Sequence, residues 1–133
     1  MDQAKRNKHN YLAAKAAFNA RNLDACVGFY APNHRLASAQ QGAPSIRGFF
    51  EGTIAMWPDI QITVEHAVAE DDWVMGRSIA TATHSNTLMG AAPTNKRIES
   101  AFWDLHRFDA DGRMVESWNL MDGLSIMQQL KTP

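Results

Sequence analysis

Among the proton-transferring side chains in the second half of the chain, four at even-numbered positions are candidates for a shared site. They are two imidazoles, His84 and His106, and two carboxyl groups, Asp104 and Asp122. Burial in an apolar pocket raises the pKa of a carboxyl group, and a neighbouring imidazolium lowers it. These opposed effects can bring an Asp or a His into the range that suits general acid–base chemistry at neutral pH.

The predicted strand 97–108 shows how two of the four could share a face. Side chains two residues apart on a strand point the same way. The odd positions of this strand carry three charges: Arg97, Glu99 and Arg107. Because charged side chains favour water, we predict that the even positions, which include Asp104 and His106, face the interior.

The neighbouring strands extend this inner face by the same count. The even positions of the predicted strand 73–83 have small side chains, which would leave empty volume, and His84 continues their parity. In the predicted strand 113–121 the even positions are largely apolar, and Asp122 continues their parity, but Glu116 on the same parity is unexplained. We predict that the four proton-transferring groups converge on one hollow, provided that no β-bulge shifts the count.

Three large apolar residues on the even parity would wall this hollow: Phe102, Trp118 and Leu120. A mostly apolar pocket with a few polar groups is the usual form of a small-molecule site. Structural roles are also open for these residues, and Trp118 could belong to the core. Asp104 and His106 could be a buried structural pair that does no more than satisfy each other's hydrogen bonds. Asp122 could cap a helix that begins near Leu124.

The remaining elements place helices ahead of a sheet. Amphipathic or Ala-rich patterns predict helices over 5–21, 23–30, 45–57 and 123–130. Further strands are predicted over 34–41 and 60–69, and Gly42–Ser45 has the composition of a turn. Helices followed by adjacent antiparallel strands predict an α+β fold, in which a strongly curved antiparallel sheet wraps the N-terminal helices into a cone.

Length and composition limit the class of protein. The 133 residues suit one domain over 1–133, and the net charge of -1 argues against a nucleic-acid binder. The single Cys26 excludes an internal disulfide and a thiolate metal cluster. Since neither a signal peptide nor a membrane span is evident, we predict a cytoplasmic protein without a membrane or nucleic-acid partner.

Several familiar site motifs are absent from the sequence. There is no Gly-rich phosphate loop, and the lack of a Gly-x-Ser-x-Gly elbow argues against a serine hydrolase. The histidines do not have the His-Glu-x-x-His spacing of a helical zinc site. We therefore predict a site that uses no metal.

An ordered set of motifs runs through the second half of the chain. It comprises Trp73, Ala82-Thr83-His84, Gly90-Ala91-Ala92-Pro93-Thr94, Asp111-Gly112, Glu116-Ser117-Trp118, Asp122 and Gln129-Leu130. This order resembles the SnoaL-like polyketide cyclase family, which belongs to the nuclear-transport-factor-2-like superfamily. The resemblance extends from the first helix to Leu130.

The resemblance implies a cone-shaped fold and an intramolecular aldol closure of a polyketide ester, with no cofactor and no metal. In such cyclases the acid–base residue is an aspartate late in the last long strand, which corresponds to Asp122. A histidine on the neighbouring strand, corresponding to His106, lines the same pocket. We expect His84 and Asp104 to position polar groups of the substrate, a small apolar or polyketide-like molecule.

Two departures from the family pattern leave the substrate open. Ser85-Asn86 stands where the family has Thr-Gly, and Asn95 replaces a Gly, both at the predicted pocket mouth. An isomerase, an epoxide hydrolase or a non-catalytic binding module on the same scaffold are alternatives. Epoxide hydrolysis would need an Asp-Arg-Asp cluster, yet Arg77 and Arg107 are predicted to point outward.

The outer face of the predicted sheet carries apolar residues on the odd parity. They are Trp103, Leu105, Val115 and Met121. Because a large apolar face is seldom left open to water, we predict a homodimer or a higher homo-oligomer.

Overall fold

The computed structural model describes residues 2–37 and 45–132. Its helices are α1 (Gln3–Asn19), α2 (Leu23–Val27), α3 (Ile46–Met56) and α4 (Gly123–Lys131). Its strands are β1 (Tyr30–Leu36), β2 (Gln61–Glu70), β3 (Trp73–Thr83), β4 (Arg97–Phe108) and β5 (Met114–Met121). The predicted turn at 42–44 and the end of the predicted strand 34–41 lie outside the described residues. No helix within the described ranges is both long and apolar enough to cross a membrane.

The strands form one curved sheet in the order β1-β5-β4-β3-β2. β2 to β5 are antiparallel neighbours, whereas β1 runs parallel to β5. The antiparallel prediction is therefore wrong for β1, which is not joined to its neighbour by a hairpin. β1 also begins at Tyr30, inside the helix predicted over 23–30, because Gly28 follows α2 and disfavours its continuation. The α+β class, with N-terminal helices on the sheet, is confirmed.

Helix α1 and the concave face of the sheet interlock. Tyr11, Ala14 and Phe18 recur at helical spacing on α1 and are all buried. Tyr11 meets the sheet at Gly76, where a methyl group would overlap the Tyr11 hydroxyl. The small side chains of β3 thus leave volume on the inner face, and Tyr11 fills part of it.

A β-bulge interrupts the pairing of β4 with β5. Phe108 is paired with Met114 and Arg107 with Glu116, so Val115 has no partner. The extra residue moves every later side chain of β5 to the opposite face. Even-numbered residues face inward on β3 and β4, as predicted, but odd-numbered residues do so on β5 beyond the bulge.

Candidate active site

A cavity of about 450 Å³ lies between α3 and the concave face of the sheet. Its volume falls within the range of small-molecule sites. Its walls are largely apolar, with aromatic contributions from Phe18, Phe49, Phe50, Trp57 and Phe102. Phe102, one of the three predicted wall residues, therefore borders a real hollow.

A buried carboxylate, Asp104, stands in one wall of this cavity. Its Oδ1 accepts a hydrogen bond from the Tyr11 hydroxyl at 2.6 Å. Its Oδ2 accepts from the Lys15 ammonium at 2.6 Å and lies 2.9 Å from His106 Nε2. Tyr11 and Lys15 are four residues apart on α1, so one face of the helix delivers both groups to the sheet. The Lys15 ammonium also lies 5.1 Å from the centroid of the Phe102 ring, within cation–π range.

The other ring nitrogen of His106 extends this cluster across the sheet. His106 is paired with Ser117 on β5, and its Nδ1 lies 2.6 Å from Ser117 Oγ. The same oxygen lies 2.8 Å from Nε2 of His34, on β1. We call the resulting chain of hydrogen bonds the Asp104 network; its members are Tyr11, Lys15, Asp104, His106, Ser117 and His34.

An ionised carboxylate can only accept hydrogen bonds, and this fixes the protons of the Asp104 network. His106 Nε2 must donate to Asp104, so a neutral His106 has its lone pair on Nδ1. That lone pair accepts from the Ser117 hydroxyl, and Ser117 Oγ accepts in turn from His34 Nε2–H.

Burial and charge act in opposite directions on the Asp104–His106 pair. Burial raises the pKa of Asp104, but the Lys15 charge and the hydrogen bonds from His106 and Lys15 more than offset it, so this pKa lies well below its usual range. Burial lowers the pKa of His106, and the nearby Asp104 carboxylate offsets that shift only in part. At neutral pH the pair is therefore a carboxylate beside a neutral imidazole.

The two outer members of the network are neutral as well. Burial, followed by the Asp104 charge, raises the pKa of Tyr11 well above its usual range, so the phenol stays protonated and donates. Burial, followed by the nearby His106, lowers the pKa of His34 to about 4. Lys15 and Asp104 thus carry the charges of the network at neutral pH.

Asp122 lies outside this cavity. It is exposed and forms the N-cap of α4, where its side chain accepts from the backbone N–H of Ser125 at 3.0 Å. Leu120 is 69% exposed. The predicted inward orientation of Asp122 and Leu120 is wrong, because the bulge at Val115 exchanges the two faces of β5. The capping role that the sequence left open for Asp122 is the one observed.

Trp118 and Glu116 follow the same exchange of faces. Trp118 borders the cavity, but its ring packs against Trp73 at a centroid distance of 5.9 Å, and it is paired with the outward-facing Leu105. Glu116 forms an ion pair with Arg35 and lies near Arg107. The charge that parity left unexplained is therefore on the outer face.

His84 is fully buried but is not among the residues that line the cavity. Its Nδ1 accepts from the backbone N–H of Thr94 at 3.1 Å, and its carbonyl accepts from Asn95 N–H at 2.8 Å. Its ring lies 6.0 Å from that of Trp57, which does line the cavity. His84 thus holds the loop after β3 and does not border the described cavity.

Sequence reasoning missed four members of the network: Tyr11, Lys15, Ser117 and His34. One signal was available, because Tyr11, Lys15 and Phe18 follow the i, i+4, i+7 spacing of one helix face. A lysine on an otherwise apolar face calls for a buried partner. The bulge in β5, which the sequence does not reveal, turns Ser117 inward, and His34 carries no local pattern.

Two other kinds of site find no support in the described residues. No group of three His, Cys, Asp or Glu side chains within them could hold a metal ion. The cavity-lining residues of this part of the chain include no arginine. Arg77 instead forms an ion pair with Glu65 and lies over the ring of Trp103.

Solved structures share this fold over nearly the whole chain. AclR, a proposed hydroxylase from Streptomyces galilaeus, is 29% identical with a TM-score of 0.84, over 98% of this chain and 84% of that one. IdmH, a proposed polyketide cyclase from Streptomyces antibioticus, is 29% identical with a TM-score of 0.81, over 95% and 99% of the two chains. A protein from Jannaschia sp. CCS1 with a proposed SnoaL-like cyclase assignment is 18% identical with a TM-score of 0.82, over 100% and 96%, which supports the fold alone.

No curated protein matches the sequence. The family model for SnoaL-like polyketide cyclases matches residues 8–130, which include every member of the Asp104 network. The fold, the concave cavity and this match agree with one another. The chain belongs to the SnoaL-like polyketide cyclase family.

Proposed function

We propose that the cavity binds a small, largely apolar carbonyl compound and that the Asp104 network removes a proton from one of its carbon atoms. The position of Lys15 carries this proposal: its ammonium, ion-paired with a buried carboxylate, lies in a largely apolar cavity wall. A fixed positive charge in such a water-poor site stabilises an enolate oxygen more strongly than a solvated charge does.

His106 is the base in this scheme. Its Nδ1 lone pair accepts from the Ser117 hydroxyl, and a change of the Ser117 side-chain rotamer would move Oγ away and present the lone pair to a ligand. The carbon-bound proton moves to Nδ1 while Lys15 holds the enolate oxygen. Asp104 keeps the imidazole in the required tautomer and stabilises the imidazolium that forms.

We propose that proton removal is followed by an intramolecular aldol-type cyclisation that uses no cofactor. The enolate carbon would attack a second carbonyl group of the same molecule. Family membership and likeness to IdmH support this choice. AclR, a proposed hydroxylase, has the same sequence identity to this chain, 29%. Isomerisation through an enolate would use the same three groups, Lys15, Asp104 and His106.

Deuterium exchange tests the proton transfer without knowledge of the natural ligand. The probe is a bicyclic β-keto ester, and ¹H NMR in D₂O follows loss of the proton between its two carbonyl groups. We expect the full chain to accelerate exchange, and His106→Gln or Lys15→Met to lose about 10²-fold or more of that acceleration. Lys8→Met, an exposed change on α1, is the control. Exchange that is no faster than in buffer would contradict the proposal.

The alternative is a module that binds a ligand without changing it. The completeness of the hydrogen bonding favours this alternative, because Asp104, His106 and Ser117 already satisfy one another. Native mass spectrometry of freshly purified protein would then recover a ligand that stays unaltered during long incubation. Such a module would also give no deuterium exchange in the wild type.

We also propose that the outer face of the sheet forms a homodimer. Large apolar side chains cluster there: Trp73, Met75, Trp103, Leu105 and Trp118. Trp73, Met75 and Trp103 are 38%, 42% and 37% exposed, and apolar surface of this kind is seldom left open to water. The predicted outer residue Met121 lines the cavity instead, because it follows the bulge at Val115.

Sedimentation velocity at micromolar concentration tests the dimer. We expect a dimeric wild type and a monomeric Met75→Glu variant, because Met75 is paired with Val68 and Leu105 and the new carboxylate would be buried against apolar side chains. Leu12→Glu is a matched control, since Leu12 is 40% exposed and lies on α1. A monomeric wild type would contradict the proposal.

A further inference from the structure

The Asp104 network contains a second candidate reacting group, the Ser117 hydroxyl, which is not a reactant in enolate formation. Ser117 Oγ lies 2.6 Å from His106 Nδ1, and His106 Nε2 lies 2.9 Å from Asp104 Oδ2. A hydroxyl that donates to an imidazole, whose other nitrogen is held by a carboxylate, is the arrangement that activates a serine. It is recognised by geometry and roles, whatever the order of the residues along the chain.

We propose that Ser117 is a nucleophile that accepts the acyl group of a small apolar ester or thioester. The missing Gly-x-Ser-x-Gly elbow argues only against a serine placed on a strand-to-helix turn. Here two strands supply the three groups. Asp104 and His106 are two residues apart on β4, and Ser117 lies opposite His106 on β5.

The surroundings of Ser117 favour loss of its proton. His34 Nε2–H donates to Ser117 Oγ at 2.8 Å, while His106 Nδ1 accepts the hydroxyl proton. The oxygen is thus held between a donor and a base, and the donor stabilises the negative charge that develops as the proton leaves. Ser117 lines the cavity although only 2% of its surface is exposed, so an acyl ligand would reach it from within the cavity.

The acylation step conserves atoms and charge. The Ser117 hydroxyl proton moves to His106 Nδ1 as Oγ bonds to the ester carbonyl carbon. The imidazolium then gives this proton to the departing alkoxide or thiolate as the C–O or C–S bond breaks. Lys15 is the cation in the described cavity wall that could attract the developing oxyanion. Water, deprotonated by His106, afterwards hydrolyses the acyl-serine.

Diisopropyl fluorophosphate tests the nucleophile and requires no acidic carbon. We expect one diisopropylphosphoryl group per chain, located on Ser117 by peptide mass mapping, and none in Ser117→Ala. Ser100→Ala is the matched control, because Ser100 is also buried on the inner face of β4 but donates to the Ala101 carbonyl at 3.4 Å. Asp104→Asn should slow labelling by about 10²-fold or more, because an amide N–H facing Nε2 would move the imidazole proton to Nδ1.

A wild type that takes no label at Ser117 overturns this inference, and so does a labelling rate that Asp104→Asn leaves unchanged. Thermal unfolding of Ser117→Ala and Ser100→Ala compares their folds, while the mapped site in the wild type decides the question even if a variant unfolds. Deuterium exchange without labelling would refute only the proposal that Ser117 is a nucleophile. Labelling without exchange would refute only the proton-transfer proposal.

Discussion

The two faces of the sheet hold ion pairs in very different surroundings. On the concave face Lys15 pairs with Asp104 at 2.6 Å, and the two side chains are 15% and 5% exposed. On the convex face Arg77 pairs with Glu65, and these side chains are 37% and 42% exposed. The inner carboxylate also accepts hydrogen bonds from other groups of the network, whereas Arg77 lies over a tryptophan ring at the surface.

Burial changes what each pair contributes. Water screens the exposed pair, and such pairs typically add about 0–1 kcal/mol to the free energy of unfolding. Loss of one partner from a buried pair costs about 3–5 kcal/mol, although well-packed apolar residues would often be as stable as the intact pair. Stability alone therefore does not explain why Lys15 and Asp104 stand in the cavity wall, and we infer that the chemistry of the cavity does.

Removal of the inner cation should give the largest effect. We expect Lys15→Met to lower the free energy of unfolding by about 3–5 kcal/mol, because the buried Asp104 carboxylate would lose its counter-charge. Urea denaturation at pH 7 measures this loss. Lys8→Met, on the exposed side of α1, should change stability by less than about 0.5 kcal/mol. A loss below about 1 kcal/mol for Lys15→Met would erase the energetic distinction between the two faces.

Crowding of the inner face should have the next largest effect. Gly76→Ala would place a methyl group on the Tyr11 hydroxyl and push it from Asp104, at an expected cost of about 1–3 kcal/mol. Gly52→Ala on α3 is the control, since its methyl group would meet no atom within 4 Å. Helix propensity should make that change stabilising by up to about 1 kcal/mol. Thermal unfolding compares the two, and effects of the same sign would contradict the inferred packing.

The sequence predicts the inner face of β3 and β4 because local chemistry decides it. Charges at alternate positions of β4 can only face water, and this assigns Asp104 and His106 to the interior. The small inward side chains of β3 indicate the hollow, because they leave volume unfilled. Each of these inferences needs only the residues of one strand.

The inner face of β5 could not be predicted from its own residues. The bulge at Val115 is a property of the pairing between β4 and β5, and composition leaves it hidden. One unpaired residue was enough to bring Ser117 to the inner face and to send Asp122 to the surface. The family resemblance gave the fold correctly, but the proposed site is centred on Asp104 rather than on Asp122.

The contributions of α1 and β1 depend on contacts that are remote in the sequence. Lys15 meets Asp104 across 89 residues, and His34 meets Ser117 across 83. Helical spacing could mark Lys15 as unusual, but it could not name the partner. The parallel pairing of β1 with β5 brings His34 to Ser117. Parallel strands are not joined by a hairpin, so no turn motif in the sequence predicts this pairing.

Acid should weaken the inner network more than the outer pair. The pKa of His34 is lowered by burial from 6.5 to about 4. Between these values the unfolded chain binds a proton that the folded chain does not, so stability falls as the pH falls from about 6.5 to 4 and is unaffected above that window. Urea denaturation at pH 7 and pH 5 measures the slope. His34→Gln should reduce the difference in free energy of unfolding between pH 7 and pH 5 by less than about 1 kcal/mol, because solvent screens the partly exposed ring. His66→Gln is the control, because His66 is exposed. An unchanged slope in His34→Gln would place the acid sensitivity elsewhere.

The outer pair should give the smallest effect, and it also reports on the proposed dimer. A double-mutant cycle with Arg77→Ala and Glu65→Ala separates their coupling from the packing of Arg77 over Trp103. In a monomer the coupling should be about 0–1 kcal/mol and should shrink with added salt. A dimer that covers this face would exclude water from the pair, so the coupling should grow as protein concentration rises through the dissociation constant. A large coupling that is independent of concentration would mean that exposure does not distinguish the two faces after all.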